Sequence, residues 1–133
     1  MRPRTILIVE DEMDMRFFLV TLCRANGFNA SAARNGKEGL AQARAVRPDL
    51  ILLDVMMPEQ GGLVLYAAIK NDPELQATPV VMLSAVSRTD FHHSLAMLNA
   101  GRQAPIPPPE AYLEKPPEPE TILHAIQRWV PMQ

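Results

Sequence analysis

Four apolar stretches of this chain each end on a residue able to do chemistry. Ile6-Leu7-Ile8-Val9 runs into Glu10-Asp11-Glu12, and Leu50-Ile51-Leu52-Leu53 runs into Asp54. Val80-Val81-Met82-Leu83 is followed by Ser84, and Tyr112-Leu113-Glu114 by Lys115. If these stretches are neighbouring strands of a parallel sheet, their carboxyl ends share one rim, where open α/β sheets bind ligands. Carboxylates crowded on such a rim repel one another, which raises their pKa values unless a cation intervenes. A hard divalent ion such as magnesium could bridge the acids and a phosphoryl oxygen. A serine hydroxyl can donate to a second phosphoryl oxygen, and a lysine ammonium can neutralise a third. A carboxylate can itself attack phosphorus. The set therefore points to phosphoryl transfer onto a carboxylate.

The segments between these stretches read as helices. Met15, Phe18, Leu19, Leu22 and Ala25 repeat at helical spacing between Met13 and Asn26, before the stop signal Asn26-Gly27. After a weak strand over Phe28–Ala33, Asn35 can cap a second helix, with Glu38 placed as in a capping box. A third helix carries Leu65, Ala68 and Ile69, a fourth lies near Asp90–Ala100, and Pro119 suits the first turn of a fifth. Leu50–Leu53 is apolar throughout, as a strand buried on both faces requires. Five strand–helix units in succession imply an α/β domain with a mostly parallel sheet and right-handed crossovers.

Composition narrows the setting. With 133 residues the chain suits one domain, taken here as 1–133, and 47% apolar residues exclude a solvated disordered chain. Thirteen basic against fifteen acidic residues leave no polycationic face, so neither nucleic acid nor a membrane surface is an expected partner. The apolar runs are too short to span a bilayer, and the N-terminus lacks a signal peptide's apolar core. One cysteine, Cys23, fits a reducing cytoplasm.

Ile6–Glu12, Leu52-Leu53-Asp54-Val55-Met56-Met57-Pro58, Val81–Ala85 and Tyr112–Pro116 resemble, in order, the four signatures of bacterial response-regulator receiver domains. The likeness covers nearly the whole chain and is to the stand-alone, chemotaxis-regulator-like kind. It implies a doubly wound (βα)5 flavodoxin-like fold with strand order 2-1-3-4-5. It also implies a two-component phosphoacceptor that receives a phosphoryl group from a histidine kinase or phosphotransfer protein and switches its affinity for a downstream protein. Such a chain is a switch, not an enzyme, beyond catalysing its own phosphorylation and dephosphorylation. By the resemblance, Asp54 is the phosphoacceptor. Glu10, Asp11, Asp54 and the Met56 backbone carbonyl hold Mg2+, and Ser84 and Lys115 contact the phosphoryl group. Ser84 and Tyr112 form the switch, and the Lys115–Pro116 bond is expected to be cis.

Other readings are weaker on the residues. A dinucleotide fold needs a Gly-rich turn where Glu10-Asp11-Glu12 stands. An aspartyl phosphatase would want an acid at Met56. A receiver fold kept only for docking would lack part of the acidic pocket. His92-His93 reads as helix surface, Cys23 as packing, and Glu12 as a helix cap. Two features depart from the family. Glu10 stands where Asp is usual, and the 31 positions from Ser84 to Lys115 exceed what typical members carry. The surplus is Pro-rich, around 102–110, and is expected to fix a shape over the usual docking face and to rearrange the fourth helix.

Overall fold

The computed structural model describes residues 3–54 and 61–130. Five strands alternate with five helices: β1 (Thr5–Val9), α1 (Met13–Ala25), β2 (Asn29–Ala33), α2 (Gly36–Val46), β3 (Leu50–Leu53), α3 (Gly61–Asn71), β4 (Val80–Ser84), α4 (Arg88–Asn99), β5 (Ala111–Glu114) and α5 (Pro119–Trp129). The strands form one parallel sheet in the order β2-β1-β3-β4-β5. This is the doubly wound order expected above.

The strand alternation sorts side chains into two cores. Ile6, Ile8, Leu50, Leu52, Val81 and Leu83 pack with Leu19 and Cys23 of α1 and with Ile122 and Ile126 of α5. Leu7, Val9, Ile51, Leu53, Val80 and Met82 face Ala43, Leu65, Ile69, Phe91 and Leu95 of α2, α3 and α4. Both layers are nearly dry: every residue of β1 from Ile6 onward and of β3 is at most 1% exposed. That is why these strands read as unbroken apolar runs.

Helix starts follow local chemistry. Glu12 caps α1 by accepting from the Met15 N–H at 3.2 Å. Asn35 caps α2 by accepting from the Glu38 N–H at 2.9 Å. The reciprocal half of that box is displaced, because Glu38 accepts from the Arg34 N–H and guanidinium instead of from Asn35. Gly39 lets α2 settle on β1, since a Cβ there would sit 3.0 Å from Val9 and 3.1 Å from Leu65. The fourth helix is continuous to Asn99. The Pro-rich segment after it is fastened to α3, α4 and the start of β4 through Tyr66, Asn99 and Val80. It therefore lies on the α3–α4 side of the sheet, where its ends meet the amino ends of the strands.

Candidate functional site

Glu10, Asp54, Ser84 and Lys115 converge because each is the first position beyond its strand, or the last within it. The Glu10 N–H donates to the Ala33 carbonyl at 3.0 Å and the Asp54 N–H to the Val9 carbonyl at 3.0 Å. The Lys115 N–H donates to the Ser84 carbonyl at 2.7 Å. The sheet ladder thus continues one residue past its strands and aims three functional side chains from a fixed backbone.

There the Lys115 ammonium donates to Glu10 Oε1 at 2.8 Å and to Asp54 Oδ2 at 3.3 Å. Glu10 and Asp54 are 1% and 4% exposed, so this lysine bridges two buried carboxyl groups. Burial pushes the Glu10 carboxyl up to about 7, and neighbouring Asp54 adds to the rise. The bonds from Lys115 and from the Glu12 N–H oppose it. For Lys115, burial works against the charged form, but the bonds and charges of Glu10 and Asp54 prevail and raise its pKa. The lysine thus sits closer to Glu10 than to Asp54.

Asp11 stands exposed at the mouth of this pocket. Oxygens of Glu10, Asp11 and Asp54 come within 4.8 Å of one another, a hard-donor set suited to a magnesium-like ion. Met56, with the expected carbonyl ligand, lies outside the described residues. Glu12 acts as the α1 cap, and its backbone N–H donates to Glu10 Oε2 at 3.2 Å.

Ser84 is fully buried at the end of β4, and its Oγ accepts from the Val86 N–H at 3.1 Å. A hydroxyl retains its proton in that role and can still donate. Tyr112 points inward. Its hydroxyl donates to the Val86 carbonyl at 2.6 Å, and its ring stacks on Phe91 of α4 with centroids 4.9 Å apart. Ser84 and Tyr112 therefore meet the same loop after β4, one at Val86 N–H and the other at its carbonyl. The Lys115–Pro116 bond is cis. His92 and His93 are exposed on α4, apart from the acidic group, and Cys23 is buried in the core.

One residue at the site escaped the sequence reading. Arg16, on the first turns of α1, donates from a single nitrogen, Nη1, to the Glu10 carbonyl at 3.0 Å and the Asp11 carbonyl at 3.3 Å. A cation near a helix N-terminus opposes the helix dipole, and that misplacement was the available signal.

The geometry agrees with known proteins. The response regulator receiver domain family matches residues 6–127. The polar-differentiation response regulator DivK of Brucella anthropi is 43% identical over 84 residues, 62% of this chain and 68% of that one. Protein Rrf1 of Nitratidesulfovibrio vulgaris is 30% identical over 126 residues, 95% of this chain and 82% of its own. Among solved structures, the chemotaxis protein CheY4 of Vibrio cholerae superposes with a TM-score of 0.80 at 26% identity. That match covers 96% of this chain and 99% of the other.

Proposed function

Because the chain belongs to the response regulator receiver domain family, and so is a phosphoacceptor of two-component signalling, we propose that Asp54 is the residue phosphorylated. The observation that carries this is the grouping of Asp54 with Glu10 and Asp11 under the Lys115 ammonium. An Asp54 oxygen attacks the phosphorus of a phosphohistidine. A P–O bond forms, the P–N bond breaks, and the imidazole leaves with the electron pair. Lys115, within reach of Asp54, neutralises charge gathering on the phosphoryl oxygens, and the Ser84 hydroxyl donates to another of them. Glu10, Asp11 and Asp54 would hold Mg2+, which when bound offsets the negative charge shared by acids and phosphoryl group. Tyr112, already inward against Phe91, couples the loop after Ser84 to α4, and a downstream protein reads the result. The chain catalyses only its own phosphorylation and dephosphorylation.

The donor is a histidine kinase or phosphotransfer protein. Among the described residues no helix is long and apolar enough to cross a membrane. We place the chain in the cytoplasm, a setting that the unpaired thiol of Cys23 supports. The test is the intact mass after incubation with acetyl phosphate and Mg2+. The wild type should gain one phosphoryl group, and both Asp54→Asn and chelation should abolish the gain. Undiminished labelling of Asp54→Asn would refute the assignment.

A further inference from the structure

We propose that Arg16 is a positioning residue for the acidic pair, acting through the backbone that carries it and not through its charge. The inference rests on the metal-site reading above. Glu10 and Asp11 are consecutive, and their carbonyls converge on one guanidinium nitrogen, Nη1. Two successive carbonyls held on one side fix the two peptide planes between β1 and α1, and with them the directions of both side chains. The opposite side of the same turn is held independently. There the Glu12 N–H donates to Glu10 Oε2 at 3.2 Å, and the Glu12 side chain caps α1. The turn is thus clamped from both sides, and Arg16 supplies the clamp on its carbonyl side. Its own backbone N–H donates to the Glu12 carbonyl at 2.9 Å in the first turn of α1, so the clamp is anchored in the helix.

Charge and position predict opposite signs, which makes the idea sharp. An arginine that is merely a positive neighbour of a cation site weakens metal binding by repulsion, and removing it tightens binding. An arginine that positions ligand backbone strengthens metal binding, and removing it weakens binding. Losing a partner that orients metal ligands commonly costs roughly tenfold or more in affinity. Because both bonds leave one nitrogen, a lysine ammonium can replace them.

The experiment measures Mn2+ affinity by the electron paramagnetic resonance of free Mn2+, for the wild type, Arg16→Met and Arg16→Lys. Each protein is also unfolded in chelator. Arg16→Met should bind Mn2+ about tenfold more weakly, and Arg16→Lys should stay within about threefold of wild type. Acetyl phosphate labelling of Arg16→Met should need more Mg2+ for half its rate yet approach the wild-type rate at saturation. Should Arg16→Met not fold, Arg16→Gln, neutral and shorter, makes the same comparison. Unchanged or tighter Mn2+ binding by the neutral variant overturns the proposal while leaving the metal site standing. A wild type that binds no Mn2+ overturns both.

Discussion

The two ends of the sheet are built on opposite principles. At the carboxyl end, Glu10, Asp54 and Lys115 bring charge into a pocket where two carboxyl groups are buried, and one lysine serves both. At the amino end, the Pro-rich segment is secured mainly by hydrogen bonds between side chains and backbone, with a single ion pair, between buried Lys70 and Glu110, beside them. Asn99 forms a pair of bonds with Ile106, accepting from its N–H at 2.8 Å and donating to its carbonyl at 2.9 Å. The Tyr66 hydroxyl donates to the Pro107 carbonyl at 2.5 Å, while the Glu110 carboxylate accepts from the Val80 N–H at 2.7 Å and the Glu110 backbone N–H donates to the Val80 carbonyl at 3.0 Å. Ile106 then enters the core shared by Phe91, Leu95 and Tyr112. The first end holds reactivity at the expense of stability, and at the second the charged groups described, Lys70 and Glu110, are taken up by each other and by backbone. An insertion secured in this way lengthens the chain without disturbing the opposite rim.

The contrast breaks if a change at one end produces the other end's phenotype. The largest effect should come from Ile106→Ala, which leaves a cavity where an isoleucine is 3% exposed. We expect a loss of about 4 kcal/mol in chemical unfolding, with acetyl phosphate labelling of the folded fraction unchanged. A labelling defect in folded protein would show that the insertion supports the chemistry after all.

Glu10→Gln should do the reverse, abolishing or slowing labelling while stabilising the metal-free fold. The folded Glu10 carboxyl titrates near 7 against a usual 4.5, so the native state holds its proton more tightly than the unfolded chain. Its favourable contribution is complete below about 4.5 and is lost as pH rises through about 7. In chelator the variant should therefore match the wild type near pH 4.5 and exceed it above pH 7 by up to about 3 kcal/mol. Denaturation curves at several pH values check this, and a gap that does not widen with pH would contradict it. The smallest effect is expected for Asn99→Ala. It strands the Ile106 N–H and carbonyl and should cost about 2 kcal/mol, with hydrogen exchange at Ile106 accelerated ahead of the sheet.

Much of this was legible because the decisive signals are local. Leu50–Leu53 announces a strand buried on both faces, and Asp54 after it announces a strand end. The order of four such ends fixed both the fold and the convergence of Glu10, Asp54, Ser84 and Lys115. What escaped depends on side chains that reach across sequence. That Glu10 is one methylene longer than the usual Asp is plain in the motif, but that Lys115 lies closer to Glu10 than to Asp54 depends on how three strand ends place these side chains. Arg16 acts through one nitrogen on two backbone carbonyls, for which residue identity carries little signature. Where the Pro-rich segment is fastened is hidden from the sequence for a related reason. Proline content foretells a fixed shape, but Tyr66, Asn99 and Val80, which decide where that shape is fastened, belong to other elements.

The ladder that runs one residue past its strands has a consequence for how the molecule breathes. The amide protons of Glu10, Asp54 and Lys115 sit in the same bonded array as the strands themselves, so solvent deuterium reaches them only when neighbouring strands part. Helix ends can fray in smaller openings that leave this array closed. The rim's aim is thus tied to the strand ladder and not to the loops around it. A partner that captures a loosened surface still meets a phosphoacceptor held in register with its lysine.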